Sequence, residues 1–170
     1  IDKRRLLVIL MCVVATLSIA FYFIPKENIT LMFALQIMIG FALGPKSPLV
    51  FSMYADTADF SEWKTGRRAT AMIFSAAAFA QKLGGALAGA TIGWLLASLG
   101  YVANQAQTGA SEHGIVLLLT IIPGIFAALA VPLILLYSLD DKTLTDVQSD
   151  LEKRKHNQGI QENNEASQHA

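Results

Sequence analysis

Charge is what this chain has least of. Only 15% of its 170 residues are Asp, Glu, Lys or Arg, while 54% are hydrophobic. A soluble domain of this size carries about 25% charged residues. The deficit, with a mean hydropathy of +0.47, excludes an ordinary soluble fold and points to the bilayer. The net charge is zero, so there is no basic surface for nucleic acid. Cysteine is nearly absent too. One Cys and three scattered His exclude a disulfide framework and a metal cluster. Cys12 lies in an apolar run and reads as an inert small hydrophobe. No nucleophile stands at a catalytic spacing from a base, so the chain is read as no enzyme and as holding no cofactor.

What is present in abundance is long apolar sequence. Residues 6–24 carry no charge, and at 1.5 Å per residue they cover roughly 28 Å, about one hydrocarbon core. The run is too long and uniform for a signal peptide, and no cleavage pattern follows it. The chain opens on Ile-Asp-Lys-Arg-Arg without a methionine and is read as a piece of a larger membrane protein. Pro25 ends the first run, and Asn28 or Thr30 is placed to cap the next helix. The second span is predicted over 29–55. Pro45 and Pro48 each remove a backbone donor from it, so it should kink or unwind there. Lys46 lies inside that break. It reads equally well as an interfacial lysine with its stem folded along the helix and as a functional charge.

The next segment, 56–68, is polar. Asp56, Asp59 and Glu62 are spaced three apart and share one side of a helix. Lys64, Arg67 and Arg68 follow, with Gly66 suited to the stop between them. A solvated loop explains the bases. It does not explain acids at helical spacing directly under a span.

The third span, 69–98, contains Lys82, about 20 Å from its start. Ser75, Ala78, Gly89 and Gly93 fall within about 40° of Lys82 around the helix, and Gly85 within about 60°. Leu83, Leu87 and Trp94 lie opposite. Small ridges let helices approach closely, so Lys82 should face protein or a cavity. An uncompensated lysine at that depth costs at least ~3 kcal/mol. Its partner should be an acid outside this chain, a bound solute or water. A purely structural ion pair is the plain alternative; intramembrane charges mark solute or ion paths by default.

A polar loop at 99–114 leads to the fourth span, 115–139, kinked by Pro123 and Pro132. The tail, 140–170, should be cytoplasmic. Leu144, Val147 and Leu151 form a short amphipathic stripe suited to a membrane surface. From His156 the composition is that of a disordered segment. Ten of the thirteen Lys and Arg fall in the N-terminal end, the 56–68 segment and the tail. Positive-inside then puts both chain ends and that segment in the cytoplasm. The fold class is all-α membrane protein with four transmembrane helices.

The stretch ADTADFSEWKTGRRAT, the lysine fourteen residues after Arg68, the loop motif at Tyr101, Asn104 and Gln107, and the Pro-kinked last helix together resemble a known family. They are similar to the glycoside–pentoside–hexuronide:cation symporters, the melibiose-permease-like branch of the major facilitator superfamily. The resemblance covers residues 1–139 as the last four of twelve helices. It implies symport of a small sugar or glycoside with Na⁺ or H⁺ by alternating access, in a bacterial inner membrane. The coupling cation would be bound mainly by the N-terminal half, the chain's implied partner within the bilayer. Lys82 matches the lysine that faces the cation and sugar cavity. Asp56, Asp59, Glu62 and Arg68, with Arg67 beside them, match the charged network of the cytoplasmic gate. Lys46 matches no functional position. The competing readings are a lysolipid or other non-sugar carrier on the same scaffold and a non-transport scaffold subunit.

Overall fold

The computed structural model describes residues 2–25, 27–139 and 141–168. Among them there are seven helices and no strand: α1 (Lys3–Tyr22), α2 (Ile29–Leu43), α3 (Lys46–Thr65), α4 (Thr70–Ser98), α5 (Gly109–Leu119), α6 (Ile121–Leu135) and α7 (Asp141–Gln168). Four stretches are long and apolar enough to cross a membrane: Lys3–Tyr22, Ile29–Thr65, Thr70–Ser98 and Gly109–Leu135. The second and fourth are each made of two helices.

The joints follow from the sequence. Asp2 caps α1 by accepting from the Arg4 amide at 3.0 Å, and Asn28 caps α2 by accepting from Leu31 at 3.3 Å, so Asn28 rather than Thr30 opens the second span. Pro45 and Pro48 leave the carbonyls of Phe41 and Gly44 without their usual i+4 donors. The backbone at Gly44 and Pro45 stays right-handed, so the break is a joint between α2 and α3 and not a loop. In the fourth span the helix breaks at Thr120, whose φ of −122° and ψ of −76° leave the helical region, three residues ahead of Pro123. Pro132 lies inside α6, which runs on to Leu135.

α3 continues beyond the apolar stretch to Thr65 and ends at Gly66, which takes φ 70° and donates to the Glu62 carbonyl at 2.8 Å. A left-handed residue here closes the helix with no Cβ strain. The three acids therefore stand on a helix, and the turn to α4 occupies only residues 66–69.

α1 is central. Its buried face, Leu7, Met11, Val14, Ala15 and Ser18, packs chiefly on α6. The approach is close: a Cβ on Gly124 would stand 2.9 Å from Ile19 Cγ1 and 3.3 Å from the Ala15 carbonyl. α2 and α4, by contrast, bury no residue in this chain.

The tail departs from expectation. Leu144, Val147 and Leu151 are buried as α7 packs on α3, so the amphipathic stripe meets protein and not a membrane surface. α7 also remains helical past His156, to Gln168. Once its first turns are docked, each further residue adds one bond at low cost, and Glu, Gln and Ala are good helix formers.

Candidate functional site

The polar side chains gather at one end of the bundle, where α1 begins and α3 ends. Asp56 sits on α3, 4% exposed. A buried carboxylate is costly unless paired and hydrogen-bonded. Lys3, on the first turn of α1, supplies both needs: its Nζ donates to Oδ1 at 3.0 Å and to Oδ2 at 2.7 Å. Beside this pair the Arg4 guanidinium donates to the Tyr137 carbonyl at 3.1 Å. Tyr137 lies past the last residue of α6, half-buried. Burial pushes its phenol up, and the hydroxyl donates to the Met53 carbonyl at 3.5 Å. The start of α1, the middle of α3 and the end of α6 are thus tied by polar contacts.

About one and two helical turns further along α3, Asp59 and Glu62 receive Arg68 from the turn. One guanidinium nitrogen, Nη2, lies 2.9 Å from Asp59 Oδ1 and the other, Nη1, 3.5 Å from Glu62 Oε2. Nε donates to Thr70 Oγ1 at 3.1 Å. Arg68 therefore folds back over α3 and fastens it to the start of α4. Its side chain remains half-exposed while the two carboxylates are about one-fifth exposed, so the pairs are partly solvated and of modest strength. Arg67 differs. Its amide donates to Thr65 Oγ1 at 3.4 Å, but its guanidinium is exposed and has no ion pair among the described residues.

The last turn of α3 meets the tail. Trp63 Nε1 donates to Asp150 Oδ2 at 3.2 Å, and Arg154 Nη1 donates to the Trp63 carbonyl at 3.2 Å. The residues singled out from the sequence thus form three groups along α3. Asp56 pairs with Lys3, Asp59 and Glu62 pair with Arg68, and Arg67 stands apart. Lys3 and Trp63 were not anticipated. Lys3 was visible only as one of three basic residues in front of a span, and nothing local in the sequence signals a partner so distant.

Lys82 is on α4, exposed, with no hydrogen bond or ion pair among the described residues. The ridge around it is open: Cβ atoms built on Gly85, Gly89 and Gly93 meet nothing within 4 Å. Lys46, the first residue of α3, is also exposed. Just before it, a shallow groove of about 490 Å³ follows the joint, lined by Ile37, Gly40, Phe41, Gly44 and Pro45.

The MFS/sugar transport protein family matches residues 1–141. The chain belongs to this family. Its four candidate spans make it a multi-pass membrane chain of a transporter family. It is 40% identical over 132 residues to an uncharacterized 29.9 kDa protein of Pseudescherichia vulneris, covering 77% of this chain and 48% of that one. It is 39% identical over 112 residues to the inner membrane symporter YicJ of Escherichia coli K12, covering 65% of this chain and 24% of YicJ. A glucuronide carrier protein homolog of the same organism is 31% identical over 112 residues, covering 66% of this chain and 24% of the homolog. The chain thus spans about half the length of the first of these relatives and about a quarter of the other two. No solved structure matches it.

Within this transporter-family chain the loop motif has a structural explanation. Gly100 takes φ 71° and Asn104 φ 62°, the left-handed region that Gly and Asn adopt most readily. Gln107 Nε2 donates to the carbonyls of Val102 at 2.6 Å and Gln105 at 2.8 Å. Thr108 then caps α5 by accepting from Ser111, and Ser111 Oγ donates to the Leu99 carbonyl at 2.7 Å. Tyr101, 40% exposed, is the motif residue with no part in this knot. Past residue 141 the family match stops, so α7 and its contacts with Trp63 lie outside the matched segment.

Proposed function

We propose that the chain is the C-terminal part of a sugar or glycoside:cation symporter that works by alternating access. Lys82 would line the cavity shared with the N-terminal half. The single observation that carries this is the state of Lys82: exposed, without a partner among the described residues, about 20 Å into a span and on an open glycine ridge. Such a charge needs a solute, water or an acid brought by another segment, and the glycine ridge lets that segment come close. Coupling to Na⁺ or H⁺ requires acids, and none of the described residues pairs with Lys82, so they would come from the N-terminal half. The names of similar proteins, symporters and a glucuronide carrier homolog among them, agree with a glycoside cargo. An unpaired ammonium also favours a cargo bearing a carboxylate, such as a uronide.

In this reading both chain ends and the 66–69 turn face the cytoplasm of a bacterial cell, because the basic residues concentrate there. The groups along α3 would then form the inner gate. Solvated pairs such as Arg68 with Asp59 are worth roughly 0–1 kcal/mol, a scale suited to a closure that opens in every cycle. Arg67, exposed and with no ion pair among the described residues, is the cation best placed to reach an acid on the other half.

The test is uptake of labelled glucuronide and of a neutral glycoside, with and without a Na⁺ gradient, in vesicles holding the chain with its N-terminal half. Gradient-driven uptake that falls at least tenfold in Lys82→Ala, at unchanged membrane insertion, supports the reading. Uptake of a lysolipid with no glycoside uptake overturns it, as does equal loss of insertion and uptake.

A further inference from the structure

The last turn of a helix leaves four carbonyls without intrahelical donors. In α3 one of them, that of Glu62, is met by the Gly66 amide at 2.8 Å. The next, that of Trp63, is met from outside by the Arg154 guanidinium at 3.2 Å. A cation at this position also complements the negative end of the helix dipole. The same residue is held a second time, through its indole N–H on Asp150 at 3.2 Å. Asp150 and Arg154 are four apart on α7, so they present one face of that helix to one residue of α3. Beside them Leu144, Val147 and Leu151 are buried. Apolar packing holds α7 down, and two polar contacts aim it at Trp63.

We propose that α7 is a cap supplied to α3 by the tail of the same chain, and that Trp63 is the positioning residue through which it acts. Glu62 and Asp59 precede Trp63 by one and four residues, and both bond Arg68. If the last turn of α3 frays, these carboxylates lose their fixed stance toward Arg68. The tail therefore sets the geometry of the charged cluster although it contributes no group to it. Its effect on gating rests on the transporter reading above. The cap does not, and it is measured without transport.

The experiment uses the whole chain in lipid nanodiscs with Trp94→Phe, which leaves Trp63 as the one indole of the two in the sequence. Amide hydrogen exchange over residues 60–66 and acrylamide quenching of Trp63 are followed. Arg154→Gln is expected to speed exchange about two- to five-fold, the scale of one helix-end charge, and Arg154→Lys to restore part of the protection. Removing residues 141–170 should speed it further and raise quenching of Trp63. Removing only residues 157–170 should leave both readings unchanged. A double-variant cycle of Asp59→Asn with Arg68→Gln should show coupling in the intact chain and less in the chain ending at residue 140. Unchanged exchange at 60–66 in both Arg154→Gln and the 141–170 deletion overturns the proposal. So does coupling between Asp59 and Arg68 that is indifferent to the tail. Failure of uptake with the cap intact would count against the transporter reading alone.

Discussion

Lys3 and Asp56 meet at 2.7 Å although 53 positions separate them. The carboxylate is almost fully buried and the ammonium is about one-third exposed. Removing the lysine strands a buried charge, whereas removing both groups strands nothing. Lys3→Met is expected to destabilise the chain by about 1–3 kcal/mol, at the lower end of buried-pair costs because the ammonium keeps some solvent. Asp56→Asn should cost less, and Lys3→Met combined with Asp56→Leu should recover much of the loss. Thermal unfolding in detergent gives the numbers. A Lys3→Met chain as stable as the parent would show that the pair contributes nothing.

Arg68 and Arg67 are neighbours with opposite circumstances. Arg68→Gln removes two carboxylate contacts and is expected to cost up to about 1 kcal/mol, with the loss shrinking as salt is raised. Arg67→Gln should stay within about 0.5 kcal/mol of the parent, as for surface changes away from any packed feature. Unfolding at low and high ionic strength separates the two. An equal, salt-independent loss in both variants would contradict this division.

Two glycines make a similar contrast. Gly124→Ala forces a Cβ to 2.9 Å from Ile19 Cγ1 and is expected to cost about 1–3 kcal/mol, the range for overpacking. Gly89→Ala meets open space and should stabilise this chain by roughly 0.4–1 kcal/mol through the unfolded state. If the ridge is a seam between halves, Gly89→Ala becomes harmful once the N-terminal half is present. Comparing the melting of Gly89→Ala with and without that half reads the seam directly.

The loop at 99–108 offers a check on backbone conformation. Asn104 holds φ 62°, so Asn104→Ala should cost about 1–2 kcal/mol while Asn104→Gly costs little. Gln107→Ala frees two carbonyls and should raise proteolytic nicking within 99–108. A loop that resists protease equally in all three variants would mean that other contacts hold it.

The spans were legible because twenty apolar residues have few places to go other than a bilayer. The end of α3 was legible at Gly66, and the acid spacing at 56, 59 and 62 announced a shared helix side. What stayed hidden was pairing over distance. Nothing in Lys-Arg-Arg says that Lys3, and not Arg4 or Arg5, reaches Asp56. Nor does the stripe of Leu144, Val147 and Leu151 say what covers it, since a lipid surface and a neighbouring helix accept the same pattern. The choice of α3 depends on Trp63 and on Arg154 reaching its carbonyl, a match visible only once both helices are in place.

The joint at Gly44 and Pro45 gives the second span unequal mechanics. Below it, α3 is gripped by Lys3, by Arg68 and by α7. Above it, α2 buries no residue of its own but lies along α1, and the joint lacks two of the bonds that make a helix stiff. The two missing bonds make the joint the softest point of the span. A bilayer that thins or thickens can be followed by a change in the tilt of α2. A change of tilt taken up at the joint would leave the charged end of α3 where Lys3 and Arg68 hold it.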